Sequence, residues 1–410
     1  MIKKILLSFF LGLITYLLIF NPIPAFTNGM GSVKLLYPFL LMLLFKKYQY
    51  GLKYISHVLV AMTFYVLYLT TYFLWGGDNL IYPAIIAYIE AVFLSYIIIM
   101  MHINSKVNLF STLLWCSIFA AFSSLFALLS SPIDRFIRTQ ISVPLLETHV
   151  GTEFSFRSFG IGSELTFCYS IVLAIILTMG LYYKKADKIL LYLIPVFFIA
   201  IIINARVGVI PLVMGLVFVF VYNRNRISTH QISMLVAVLF AIYVLTQFNW
   251  SGVNSVAYEH SMEFFYEMSD FLTGSHLAQS STMEGLYHSH VSMPNNVSEW
   301  MWGSGVWVYN LHGRNHSDSG WINQLNYGGI LGILVVWSLV LVHFKEIKDK
   351  SDRKFAYYIL ATLLITNLKG PVIPSGTAFI VANMILMYLS LKNIIGRGNT
   401  NKLKINNALV

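Results

Sequence analysis

The chain consists of long apolar runs separated by short polar segments. Twelve of these runs are predicted to be membrane-crossing helices, because most approach the roughly 20 apolar residues that a hydrocarbon layer of about 30 Å requires. They cover residues 5–20, 33–45, 54–75, 80–101, 108–130, 161–183, 189–203, 207–222, 231–248, 328–344, 355–373 and 376–392. The first run resembles a signal peptide but is interpreted as a retained helix, since no convincing cleavage site follows it.

Composition supports this pattern and excludes a soluble protein. Apolar residues make up 57% of the chain and charged residues 11%, against about a quarter in soluble domains. We therefore expect one all-α, polytopic membrane domain over residues 1–410. The two cysteines, Cys116 and Cys168, lie in apolar runs, which excludes a disulfide framework.

The net charge of +10 is explained by membrane topology. With the N-terminus in the cytoplasm and alternating crossings, 20 of the 27 basic residues fall on the cytoplasmic side, as the positive-inside rule requires. Thirteen of the 17 acidic residues lie outside or within spans. Both termini are thus predicted to be cytoplasmic, and no nucleic-acid partner is needed to explain the charge.

Only two predicted extracytoplasmic segments are long, residues 131–162 and residues 249–327. Long loops of this kind are usually functional or disordered, and these two contain aromatic and apolar residues that argue against disorder. Residues 255–272 are predicted to form an amphipathic helix within the larger loop. The working face of the protein is therefore expected to be extracytoplasmic.

Arg206 is the first candidate site residue. Residues 189–221 are apolar except for Asn204-Ala205-Arg206, and a single helix of that length would measure about 50 Å. Two short helices with Arg206 at their junction fit the membrane better. Arg206 is then either a snorkelling or carboxylate-paired residue, or a guanidinium placed to bind a phosphate group.

A second candidate group lies where the first long loop meets the next span. Arg157 and Glu164 flank a segment that contains Gly160, Gly162 and Ser163. One interpretation is an ordinary helix start, with Ser163 as the cap and Glu164 near the positive helix end. The other places a second cation and a carboxylate beside the same lipid-borne ligand.

A third group precedes the span predicted after Tyr327-Gly328-Gly329. Polar and charged residues occur there together with aromatic rings suited to stacking on sugars, or alternatively to forming turns and an interfacial belt. The candidate sugar-binding residues are Trp302, Trp307, His312 and Trp321. Histidine pairs in this loop are a weak metal signal, and no metal or cofactor is expected.

The order of these features resembles the O-antigen polymerase (Wzy) and O-antigen ligase superfamily of bacterial membrane glycosyltransferases. The resemblance covers residues 157–332. It consists of an Arg-x-x-Gly-x-x-x-Glu helix entry, an Asn-Ala-Arg-x-Gly junction, a long external loop, a Gly-x-Gly element and a Ser-Asp-Ser-Gly-Trp-Ile-Asn…Tyr-Gly-Gly-Ile-Leu-Gly segment. The chain departs from relatives at Leu165, where proline is frequent, and in lacking a Ser-Arg-Thr/Ser-Gly junction.

The resemblance implies a polymerase of polysaccharide repeats carried on undecaprenyl pyrophosphate. Such enzymes are bacterial inner-membrane proteins that transfer a growing glycan to the sugar hydroxyl of another lipid-linked repeat, at the outer face and without metal. A chain-length regulator protein is an implied partner. By this resemblance the pyrophosphate-binding residues are Arg157, Arg206 and Arg314. The general-base candidates are His316, Asp318 and Glu164, with His316 preferred because an imidazole titrates near neutral pH.

Two alternatives remain open. A ligase would use the same donor but transfer the glycan to lipid A core, and the pair His316-Ser317 approaches a ligase feature. A polysaccharide flippase or other transporter would belong to a different class. Transporters tend to show repeated halves and sites at the bilayer midplane, whereas this sequence shows no internal repeat and few charges within its spans.

Overall fold

The computed structural model describes residues 2–27, 30–74, 81–141, 160–162, 166–184, 188–223, 293–305, 319–370, 372–373 and 376–407. These residues are predominantly helical and include no strand. Five helices among them are long and apolar enough to cross a membrane: Leu52–Tyr72, Tyr88–Ser105, Leu109–Leu129, Arg206–Asn223 and Gly320–Lys345. Four further apolar helices are shorter: Ile5–Phe20, Phe167–Tyr183, Ile189–Asn204 and Thr377–Lys392.

Most predicted runs coincide with helices to within a few residues. In chain order the helices are α1 (Ile2–Phe20), α2 (Ser32–Leu43), α3 (Ser56–Leu74), α4 (Ile81–Ser105), α5 (Leu109–Leu129), α6 (Ser131–Phe136), α7 (Thr166–Tyr183), α8 (Lys188–Asn204), α9 (Val209–Asn223), α10 (Val297–Trp302), α11 (Gly320–Leu341), α12 (Lys350–Thr366) and α13 (Thr377–Asn407). α2 and α12 fall outside both groups of apolar helices. The predicted span 231–248 and amphipathic helix 255–272 lie outside the described residues.

The two predicted loops are partly helical where they are described. The first opens with α6, followed by a π-helical turn at Ile137–Ile141, where Arg138 Nε donates to Asp134 Oδ2 at 2.9 Å. In the second, Asn296 is the N-cap of α10: its Oδ1 accepts from the Glu299 N–H at 2.9 Å. The Glu299 carboxylate accepts from the N–H of the preceding residue, Asn295.

The chain divides into two compact units, one comprising Met1–Phe39 and Met101–Ser280 and the other Leu40–Met100 and Ser281–Val410. In the first unit α7 packs against α5, α8 and α9, and residues 168–181 of α7 are buried on every side. A helix that is apolar all round is expected in such a central position. In the second unit, helix α13 is also buried over most of residues 378–391.

Helix α5 shows the reverse of a soluble amphipathic helix. Its buried face carries small residues at i, i+3, i+4 and i+7, whereas large aromatic rings are exposed on it. The buried residues are Ser117, Ala120, Ala121 and Ser124, and the exposed rings include Trp115 (68%), Phe119 (53%) and Phe126 (56%). Small residues between helices and large apolar residues outside are the pattern expected of a helix surrounded by lipid.

Helix α11 reverses direction at Gly329. The rings of Trp321 and Trp337 stack with centroids 4.9 Å apart and planes 8° apart, although 16 residues of straight helix would separate them by about 24 Å. Gly329 supplies the reversal, with φ 62° and ψ −165° inside the helical segment. The element is therefore a helical hairpin with arms 320–328 and 330–341. Its length alone overstates how far it reaches across a membrane.

Candidate functional site

The predicted break between the two short apolar helices is confirmed. Helix α8 ends at Asn204, Ala205 is extended with φ −164° and ψ 129°, and Arg206–Gly208 forms a 3-10 turn before α9 begins. Arg206 is partly exposed at this junction. The polar residues that interrupt the apolar pattern thus coincide with the point where the backbone leaves the helix.

Asn204 anchors the break in the first unit. Its side chain is fully buried, and Nδ2 donates to the Ala200 carbonyl at 2.8 Å and to Ser124 Oγ at 3.3 Å. Because a carbonyl accepts only, the amide nitrogen must face Ala200, and this determines the side-chain orientation. Asn204 therefore joins the end of α8 to the buried face of α5.

The described part of the Arg157–Glu164 segment binds the same turn of α5. The Ile161 N–H donates to Ser123 Oγ at 3.0 Å, and the Tyr16 hydroxyl of α1 donates to the Ile161 carbonyl. Gly160 has φ +61°, and a Cβ there would lie 2.6 Å from the Ser124 backbone nitrogen. Only glycine combines this conformation with so close an approach.

The structure therefore brings two sequence motifs separated by about 40 residues to neighbouring serines of one helix. The segment Gly160–Gly162 is hydrogen-bonded to Ser123, and the break that carries Arg206 is hydrogen-bonded to Ser124 through Asn204. Arg157 and Glu164 themselves lie outside the described residues. We call the arrangement of Gly160–Gly162, Ser123–Ser124 and Asn204–Gly208 the serine junction.

A second junction forms in the other unit around the Gly-x-Gly element. The Ser304 N–H donates to the Asn326 carbonyl at 2.7 Å, and the Gly305 N–H donates to the Tyr327 carbonyl at 3.0 Å. These carbonyls stand just before the reversal at Gly329, where the helical ladder is interrupted, so the Gly-x-Gly backbone supplies the donors. Gly303 and Gly305 adopt φ +79° and +72°, which explains both glycines.

The structure differs from the sequence prediction at this point. The late span was predicted to begin near residue 328, but α11 begins at Gly320 and residues 320–328 form the first arm of the hairpin. A double glycine often marks a helix end, but here it marks a turn between two helical arms. The Tyr68 hydroxyl of α3 donates to the Gly328 carbonyl at 2.6 Å and holds the turn in place.

The described aromatic candidates are engaged to different degrees. Trp302 ends α10 and is 55% exposed, so its ring is available to a ligand. Trp321 stacks on Trp337, and its Nε1 donates to the Leu364 carbonyl at 3.0 Å, which uses its polar atom and one ring face within the protein. The remaining candidates lie outside the described residues: Trp307, His312, Arg314, His316 and Asp318.

Sequence reasoning missed Ser123 and Ser124, which carry the first junction. The available signal was the spacing of small residues on α5, which indicates a close helix–helix contact. Both junctions connect helices of a helical protein, several of which are long and apolar enough to cross a membrane. No family model, no curated protein and no solved structure matches the chain.

Proposed function

We propose that this protein is a membrane glycosyltransferase that polymerises undecaprenyl-pyrophosphate-linked polysaccharide repeats. The observation that carries the proposal is the serine junction. The described part of the Arg-x-x-Gly-x-x-x-Glu motif, Gly160–Gly162, and Asn204 of the Asn-Ala-Arg-x-Gly motif are distant in sequence but contact one turn of α5.

The proposed reaction is a displacement at the anomeric carbon of the donor glycan. The acceptor hydroxyl oxygen forms the new glycosidic bond, and its proton passes to a base. His316 is preferred as that base, with Asp318 orienting either the His316 imidazole or the acceptor sugar. The bond between the anomeric carbon and the pyrophosphate oxygen breaks, and the lipid-linked pyrophosphate leaves with the electron pair. Glu164 is a further candidate for the base.

Arg206 is assigned to the departing pyrophosphate. Charge grows on the leaving oxygen in the transition state, so a cation positioned there accelerates the step. A guanidinium offers two parallel N–H donors to phosphate oxygens, which an ammonium cannot. Arg157 and Arg314 are proposed to assist, and Trp302 offers an exposed ring to the sugars. The twelve-span topology with both termini inside, and with this site on the outer face, forms part of the proposal.

The test is transfer by the purified protein in lipid vesicles, with an undecaprenyl-pyrophosphate-linked repeat as both donor and acceptor. Wild-type protein should form chains of several repeats. Arg206→Ala should reduce transfer at least about a hundredfold, as expected when a transition-state donor is removed, and Arg206→Lys should restore only part of it. Lys184→Ala, an exposed cation at the end of α7, is the matched control.

Three outcomes would contradict the proposal. If Arg206→Ala forms glycan chains of near-normal length and amount, Arg206 is a snorkelling residue and does not bind the pyrophosphate. With lipid A core added to the vesicles as a second acceptor, transfer to that core with no lengthening of the lipid-linked repeat would identify a ligase instead. The absence of any transfer by the wild-type protein would exclude both the polymerase and the ligase.

A further inference from the structure

Helix α5 belongs to neither motif, yet it binds both. Ser123 and Ser124 are buried and follow one another in sequence, so their hydroxyls leave the helix about 100° apart. Each hydroxyl accepts a hydrogen bond from a different segment. Ser123 accepts from the Ile161 N–H at 3.0 Å, and Ser124 accepts from the Asn204 amide at 3.3 Å. The relative placement of the two segments therefore depends on adjacent residues of a third element.

Proton counting gives the hydrogen bonds around Ser124 a direction. The Tyr169 hydroxyl donates to the Ala120 carbonyl at 2.9 Å, which uses its single proton. In its 3.3 Å contact with Ser124 Oγ, Tyr169 must then accept, and Ser124 donates. The three hydrogen bonds thus form a series in which the Asn204 amide donates to Ser124, Ser124 donates to Tyr169, and Tyr169 donates to the carbonyl of Ala120.

The break has a second contact that limits its movement. A Cβ at Gly208 would lie 2.6 Å from Ser170 Cβ, so the backbone of the 3-10 turn rests directly on α7. Arg206 lies between this contact and the Asn204 anchor. With both sides of the turn held, the direction in which Arg206 leaves the backbone follows from the position of Asn204.

We propose that Ser124 is a positioning residue that acts on Arg206 through Asn204, an inference that rests on the proposed role of Arg206. Removing its hydroxyl leaves one N–H of a fully buried amide without an acceptor, which is costly enough to make Asn204 reorient. The end of α8 and the start of the turn then shift. A small displacement of a positioned catalytic group is sufficient to slow a reaction strongly.

The kinetic test compares Ser124→Ala, Asn204→Ala and the double variant in the vesicle transfer assay. Each single change should lower kcat about tenfold with KM changed less than about twofold, because the lost alignment matters in the transition state. The double variant should be no slower than the slower single variant, since both changes remove the same hydrogen bond between Asn204 and Ser124. Should Asn204→Ala not accumulate in the membrane, Asn204→Ser replaces it in the same cycle.

Ser117→Ala is the matched control. Ser117 is fully buried on the same face of α5, and its hydroxyl has no hydrogen-bond partner among the described residues. This variant should retain the wild-type kcat. A Ser124→Ala enzyme no slower than Ser117→Ala, or additive effects of Ser124→Ala and Asn204→Ala, would overturn the positioning role.

Backbone hydrogen–deuterium exchange provides a readout that needs no activity. Ser124→Ala should raise exchange in a peptide covering residues 204–208, whereas a peptide covering residues 160–162 should exchange as in wild type because Ser123 accepts from the Ile161 N–H. Ser117→Ala should change neither segment. If the wild-type protein transfers no glycan, the proposed function fails, and exchange alone decides the inference. Raised exchange in residues 204–208 then supports the positioning role of Ser124, and unchanged exchange in that segment overturns it.

Discussion

Replacing Gly329 with alanine should strongly destabilise the second unit. Gly329 stands at the reversal of α11 with φ 62° and ψ −165°. This region of backbone space is nearly restricted to glycine, and a residue held there costs about 1–3 kcal/mol. The strain arises from the backbone conformation alone, before any contact with neighbouring residues is considered.

Steric overlap adds to the strain. A Cβ at Gly329 would lie 2.5 Å from the Met301 carbonyl carbon and 2.6 Å from the Gly303 nitrogen. Both are backbone atoms and cannot rotate away, so α10 must move and weaken the Gly-x-Gly hydrogen bonds. Overpacking of this kind costs about 1–3 kcal/mol. The two effects together reach about 2–6 kcal/mol, a large part of the 5–15 kcal/mol typical of a folded protein.

The assay is thermal unfolding in detergent micelles, followed by intrinsic tryptophan fluorescence. The apparent unfolding temperature of Gly329→Ala should fall by roughly 10 °C. Gly329→Asn should be no better, because asparagine tolerates the left-handed helical region but not a ψ near 180°. Gly12→Ala is the control, since no atom lies within 4 Å of its added Cβ. A Gly329→Ala protein within about 2 °C of wild type would refute the reversal.

Two further predictions follow from the proposed topology and chemistry. A cysteine at Ser289 should react with a membrane-impermeant maleimide in intact cells and one at Asp349 only after permeabilisation, whereas labelling of both from the same side would overturn the twelve-span arrangement. His316→Ala and Asp318→Asn should each lower transfer at least about a hundredfold, the usual scale for loss of a general base. A His316→Ala enzyme within a few-fold of wild type, with Asp318→Asn inactive, would assign the base to the carboxylate.

The sequence by itself was sufficient to predict where most helices lie. Apolar runs of span length are a local property, and their ends agree with the helix bounds to within a few residues for α3, α5 and α8. The break at Asn204–Arg206 was also predictable. A continuous apolar helix of that length would exceed the membrane thickness, and Arg206 is the one charged residue within the apolar stretch 189–221.

Only the tertiary structure decided how these helices associate. Nothing local in Tyr327-Gly328-Gly329 distinguishes a helix start from a reversal between two arms. The reversal depends on donors from Ser304 and Gly305, which lie more than 20 residues away in sequence. The meeting of Ile161 and Asn204 on α5 is equally non-local. Apolar patterning determines which residues avoid water, but all such residues are alike in lipid, so the choice of partner depends on hydrogen bonds and close backbone contacts that form only in the folded chain.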